Sequence, residues 1–318
     1  MTSRFPGHAQ VLAAAARIAP YATLTPVLHA RALDALAGCR IAFKAEHLQR
    51  GGAFKFRGAC NAVWSLDQAD APRGVVTHSS GNHGAALALA ARGRGIPCHV
   101  VVPDGAVAAK LANIQRHGAT LWRCEATQAA REATCAEVQA ATGAMLVHPY
   151  ADPAVIAGQG TAALELIGSE GPLDVVVVPV GGGGLAAGTA LALAGALPGC
   201  DLVLAEPAGA ADTARSLDAG RRQVDFVPDT VCDGLRGALG EPNFALLQAH
   251  AAQVVVVEDA ATIAAMRLLW QVLKQTVEPS SAIALAAILA QPARFAGKRV
   301  GVILSGGNVD LDALPWRA

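Results

Sequence analysis

Net charge is the first thing this sequence lacks. Its 25 lysines and arginines balance 25 aspartates and glutamates, and only 16% of its residues are charged. No lysine/arginine run and no aromatic RNA-binding pattern occurs, which argues against a nucleic-acid or anionic-membrane surface. Long apolar runs are missing too. The Ala-rich stretch Leu185–Leu197 is too short to span a bilayer and reads as a buried helix. The opening MTSRFPGHAQ has no apolar core of a secretory leader. The seven cysteines, at 39, 60, 98, 124, 135, 200 and 232, form no C-x-x-C pair and fit reduced, structural thiols. No internal repeat or low-complexity linker is visible. These absences predict a soluble, cytoplasmic, globular protein with neither nucleic acid nor membrane as partner.

What the sequence has is apolar residues, 53% of its 318, enough for a sizeable core. Short β-branched runs alternate with helical patterns. Strands are expected at Ile41–Ala45, Gly74–His78, Cys98–Val102, Ala119–Cys124, Ala144–His148, Asp174–Val180, Asp201–Glu206 and Val300–Ser305. Continuous apolar runs of this kind suit parallel strands buried on both faces, with helices as crossovers. The expected fold class is α/β: two open, twisted, mainly parallel lobes with a ligand cleft beyond the carboxyl ends of the strands. The boundaries expected are residues 1–73 plus 151–318 for a large lobe and 74–150 for a small one.

Chemistry concentrates in a few stretches. GGAFKFRGA sets Lys55 between Phe54 and Phe56. An apolar bracket lowers an amine's pKa by disfavouring the ammonium form, which suits a reacting lysine. VPVGGGGLAAGTA follows the strongest strand and opens a helix. The free N–H groups of Gly181, Gly182, Gly183 and Gly184, with the Leu185 amide, make a cup for one phosphate at a helix N-terminus. The pattern is neither a P-loop nor a dinucleotide fingerprint. An imine-forming lysine beside such a cup points to pyridoxal phosphate. In THSSGNHGAALA, Ser79, Ser80 and the following amides can bind a carboxylate, unless a serine merely caps the helix, and Asn82 can donate to a ring oxygen. In LSGGNVD, Ser305 can bond a pyridine nitrogen or serve only as a turn residue.

TPVLHA, FKAEHLQRGGAFKFRGACNAV, THSSGNHG, HPYADPAVIAGQGT, VVPVGGGGLAAG, AEP, DGL, EPSSA and LSGGNVD follow one another along nearly the whole chain. In that order they resemble the fold-type II pyridoxal-phosphate enzymes, within them the threonine/serine dehydratase and serine racemase group. The resemblance implies a Schiff-base lysine at Lys55, Phe54 packed on the cofactor ring, and Asn82 at its 3-hydroxyl. It also implies a phosphate cup at Gly181–Leu185, Ser305 at the ring nitrogen, and Glu278 as an acid near the ring. Ser79, Ser80, Asn82 and His83 are implied as the substrate-carboxylate loop. The activity implied is loss of water from a β-hydroxy L-amino acid, L-threonine or L-serine first, giving a 2-oxo acid and ammonia. The rivals are a serine racemase with side elimination and a dehydratase of another β-hydroxy amino acid such as 3-hydroxyaspartate. A homodimer is implied as well.

Several positions depart from the family pattern. Ala53 and Ser281 replace a serine and a small residue and reshape the pocket without removing a reacting group. Ser80 stands where racemases carry their opposite-face acid, so racemisation stays open. Gly237 and Ala238 in DGLRGALG replace the serine pair usual in racemases, and Ala85 replaces the glutamine of their nucleotide site. Glu206, the Ala210 carbonyl and Asp212 are implied as ligands of Mg²⁺ or Ca²⁺; otherwise they are two solvated carboxylates. Arg131 is either a partner for a substrate side-chain carboxylate or a solvated charge in an i,i+4 pair. The chain ends soon after LSGGNVD, so no C-terminal regulatory domain is expected.

Overall fold

The computed structural model describes residues 5–316. Ten strands run in the order β1 (Val27–Leu28), β2 (Arg40–Lys44), β3 (Val75–Thr77), β4 (Cys98–Pro103), β5 (Thr120–Cys124), β6 (Met145–Leu146), β7 (Val175–Pro179), β8 (Asp201–Pro207), β9 (Gln253–Val257) and β10 (Arg299–Ile303). They form two sheets. The larger has the order β1-β2-β10-β7-β8-β9, and the smaller, β5-β4-β3-β6, draws all its strands from residues 75 to 146. Every pairing is parallel except β1 against β2.

The central strands alternate between two cores, as a two-residue period requires. Val175 and Val177 of β7 face Phe43, Ile283 and Phe295 on one side of the large sheet. Val176 and Val178 face Ile156, Leu166, Ala186 and Leu191 on the other. Each fully buried valine contributes about 1.5–3 kcal/mol. The expected strands are all present, their ends within two residues of those of the apolar runs. β1 and β9 were not expected. Both are edge strands, and β9 exposes Gln253 and Val256, so the burial that makes central strands legible is half missing there. Helices occupy Asn82–Arg94, Gln128–Thr142 and Gly184–Ala196, the last almost wholly buried as expected of the Ala-rich stretch. Among the described residues no helix is long and apolar enough to cross a membrane.

The parallel arrangement points the carboxyl ends of β2, β3, β6, β7 and β10 toward one crevice. Each is followed by one of the motifs singled out above.

Candidate active site

The glycine turn links β7 to the helix Gly184–Ala196. Gly183 is the N-cap, at φ +89°, a conformation only glycine adopts freely, and no side chain caps the helix. Gly182 lies flat against Tyr150: a Cβ there would fall 2.4 Å from the tyrosine ring. The turn therefore presents backbone donors without side chains, as an anion cradle requires. Asn243 braces it, its Nδ2 donating to the Gly182 carbonyl at 2.5 Å and the Tyr150 carbonyl at 2.9 Å.

Lys55 opens the helix Lys55–Ser65. Its half-buried side chain borders the crevice, and Nζ donates to the Pro149 carbonyl at 3.1 Å. Burial draws the amine down to about 8, while the charge of Glu278 opposes the shift. The expected bracket of two phenylalanines is only half there. Nζ lies 5.1 Å from the Phe54 ring centroid, but Phe56 packs in the core beneath, with the Arg50 guanidinium over it. Successive helical residues diverge by about 100°, so Phe56 cannot share the lysine's face. The lysine segment is fastened to the motif after β10: the Phe54 N–H donates to the Ser305 carbonyl at 2.9 Å, and Ala53 bridges Gly306. Ser305 is buried, its hydroxyl 3.4 Å from the Ser280 carbonyl.

Ser79 and Ser80 border the crevice and do not cap the next helix. Its N-cap is Gly81, with no side-chain hydrogen bond, which leaves that N-terminus open toward the crevice. Asn82 Nδ2 donates to Glu278 Oε1 at 3.0 Å, and its Oδ1 accepts from Asn308 at 2.9 Å. Burial, then the nearby charge of Asp233, push Glu278 up to about 7. Lys110, on the helix after β4, pairs with that Asp233 across the mouth of the crevice. His83 is buried, and burial together with the Lys55 charge holds it well below the usual imidazole range.

Three residues at this rim were not singled out from the sequence. His78 and His148 follow β3 and β6 with ring centroids 5.1 Å apart, and Tyr150 packs edge-on to His148 at 4.6 Å. His148 and Tyr150 stood in HPYADP, yet only the tertiary structure brings them beside Lys55. Arg131 is not in an i,i+4 pair; on its helix Gln128 and Glu132 make that contact. Its Nε is buried without a hydrogen-bond partner, and its charge acts on His78.

Glu206 and Asp212 are fully buried rather than solvated. Glu206 accepts the N–H groups of Thr213 and Ala214 at 2.7 and 2.9 Å, and burial pushes it up to about 7. Asp212 Oδ2 accepts from the Leu239 N–H at 2.8 Å, while its Oδ1 is buried and unpartnered. That orphaned oxygen fits a hard cation. Among the described residues no cluster of three or more histidine, cysteine or acidic side chains forms a fuller ligand set.

A half-buried lysine, a glycine turn free of side chains and a buried serine thus border one crevice, the donor set that a pyridoxal-phosphate site requires. Residues 18–306 match the family model described as pyridoxal-phosphate dependent enzyme. The chain belongs to that family, in its fold-type II branch. It is 48% identical over 311 residues to a β-hydroxyaspartate dehydratase from Paracoccus denitrificans, covering 98% of this chain and 99% of that one. It is 47% identical to a serine racemase from Arabidopsis thaliana, covering 94% of this chain and 92% of the relative. Among solved structures, maize serine racemase superposes with a TM-score of 0.93 at 42% identity, over 96% of this chain and 95% of that one. The T.th. threonine deaminase gives 0.91 at 42% identity, over 96% and 99% of the two chains.

Proposed function

We propose that this protein is a pyridoxal-phosphate-dependent ammonia-lyase that removes water from a β-hydroxy amino acid, and that its preferred substrate carries a second carboxylate, as 3-hydroxyaspartate does. The observation that carries the dicarboxylate reading is Arg131, whose buried Nε has no hydrogen-bond partner among the described residues. The Paracoccus dehydratase supports the same choice over L-threonine and L-serine, the substrates put first on sequence resemblance.

Pyridoxal phosphate supplies an electron sink for the bond electrons released at the substrate Cα. Lys55 Nζ is the group that takes the Cα proton, and an amine drawn down to about 8 is partly neutral near that pH. The glycine turn would hold the phosphate, Phe54 and Asn82 would hold the ring, and the neutral Ser305 hydroxyl would meet the ring nitrogen without a carboxylate to keep it protonated. Ser79, Ser80 and the open helix N-terminus at Asn82–His83 hold the α-carboxylate. The Cβ hydroxyl departs with one proton, balanced by the proton taken from Cα, so that water is lost, and the released enamine takes up water to give a 2-oxo acid and ammonia.

The test is a 2-oxo acid assay with both 3-hydroxyaspartate diastereomers, L-serine and L-threonine. Arg131→Ala is expected to lower kcat/KM for hydroxyaspartate by about 10- to 100-fold, and for L-serine by much less. Equal loss on both substrates would remove Arg131 as the selector. Appearance of the opposite enantiomer without 2-oxo acid would move the reading to racemase, which Ser80 and the plant racemases favour.

A divalent cation belongs to this proposal, held by Glu206, the Ala210 carbonyl and Asp212. A proton on Glu206 competes with the cation, and the folded-state pKa of about 7 sets where. The thermal midpoint is therefore expected to rise on adding Ca²⁺ or Mg²⁺, more at pH 8 than at pH 6. A rise independent of pH, or none, speaks against the site. A homodimer remains the expectation that the resemblance supplies, and a cytoplasmic location the one that the composition supplies.

A further inference from the structure

We propose that His148 is a positioning residue for the reaction: its imidazole shapes the turn that sets both the Lys55 amine and the glycine cradle. The inference rests on Lys55 as the reacting amine.

β6 stops at Leu146, and the chain turns sharply two residues later. His148 Nδ1 accepts the N–H of Ala151 at 3.1 Å and that of Tyr150, more loosely, at 3.4 Å. The folded-back turn then acts at both ends of the site. Its Pro149 carbonyl accepts from Lys55 Nζ at 3.1 Å. Its Tyr150 ring covers Gly182, and the Tyr150 carbonyl shares the Asn243 amide with the Gly182 carbonyl. One imidazole thus links an amine on the helix after β2 to a cradle after β7, from a strand of the other sheet.

The helix that follows does not need His148. Asp152 already caps it, its Oδ1 accepting from Ala154 at 2.7 Å and Val155 at 3.1 Å. A turn needed only to start that helix would be complete without the imidazole.

Accepting at Nδ1 requires a lone pair there, so the working ring is neutral, with its proton on Nε2. The surroundings enforce this. Burial first, then the charges of His78 and Lys55, hold His148 down to about 4. The titratable groups acting on it are His78, His83, Lys55 and, across the ring contact, Tyr150.

The test compares His148→Asn, whose side-chain oxygen keeps an acceptor near the place of Nδ1, with His148→Leu, which removes it. In the holoenzyme, Leu is expected to lower kcat by roughly 30-fold or more, as expected of a misplaced reacting group, with KM little changed. Asn is expected to restore most of that loss. In the apoenzyme, Lys55 acylation followed across pH by mass spectrometry is expected to shift its midpoint by about half a unit or more in Leu, and not in Asn. Wild-type kcat and midpoint in Leu would overturn the proposal, and so would equal damage in Asn and Leu. If Leu does not fold, His148→Ala takes its place with the same expected outcomes. Retained turnover in Lys55→Ala would instead remove the lysine reading, leaving the two failures distinguishable.

Discussion

Replacing Lys55 by alanine is expected to lower turnover by about ten-thousand-fold or more, with little change in stability. The size follows from the role: the residue is at once the covalent anchor of the cofactor and the base for the substrate. The small stability change follows from the surroundings. Lys55 is half-buried at the crevice wall, and its single hydrogen bond is to the Pro149 carbonyl. The glycine turn and Ser305 are untouched by the substitution, so cofactor still binds, now without a covalent link. Stopped-flow kinetics, the visible spectrum and a melting curve on one preparation check all three parts. A near-wild-type rate would sink the assignment of Lys55.

The largest stability effect is expected two residues further on, at Arg57. Its guanidinium is fully buried between two carboxylates. It donates to Glu46 at 2.7 Å from both Nε and Nη2, and to Glu165 at 2.6 Å from both Nη1 and Nη2. Glu46 is as buried as Arg57, and Lys44 completes the group with a 2.5 Å contact to Glu165. Such a network does not by itself make a protein stable, because desolvating the charges costs nearly what their attraction returns. Removing one member is different, since Glu46 would then be a buried anion without its main partner. Arg57→Ala is therefore expected to cost about 3–5 kcal/mol, a large share of the roughly 5–15 kcal/mol that holds a typical domain folded. Urea unfolding checks it. Arg57→Lys should rescue only in part, because one ammonium cannot serve two carboxylates bidentately.

The same network has an acid limit. Burial alone would raise Glu165, but Arg57 and Lys44 outweigh it and hold the carboxyl below 4.5. A depressed folded-state pKa stabilises above the unfolded value and stops doing so as pH falls through the folded one. The Glu165 contribution should therefore fade as pH falls below about 4.5, and Arg57→Ala should reduce that part of the acid response, leaving the share that Lys44 supplies.

Much of this was legible in the sequence, for a physical reason. Parallel strands buried on both faces must be apolar throughout, so β2, β4, β7, β8 and β10 stood out, whereas the edge strands β1 and β9 did not. The candidate groups stood out because each lies in a short motif: Ser79 and Ser80, the glycine turn and Ser305 just past strand ends, and Lys55 at the start of a helix. What local pattern cannot supply is direction. The Phe54–Lys55–Phe56 bracket looked symmetrical until a helix turned Phe56 away. Ser79 and Ser80 looked able to cap a helix that Gly81 begins. The links of Asn308 to Asn82, of Asn243 to Gly182 and of His148 to the turn beside Lys55 join residues far apart in the chain or depend on a fold-back. No spacing rule reveals such contacts.

The position of β10 carries a consequence for how the protein is made. Residues 299–303 lie between β2, at 40–44, and β7, at 175–179, and the Phe54 backbone is held by Ser305. The ribosome releases the amine-bearing segment early, but the strand that anchors it emerges some 250 residues later. Until then β2 has no parallel neighbour, and the nascent chain shows an unpaired apolar edge. Cofactor capture is thus expected only after β10 has been made, and the interval before it is when that edge is open to aggregation.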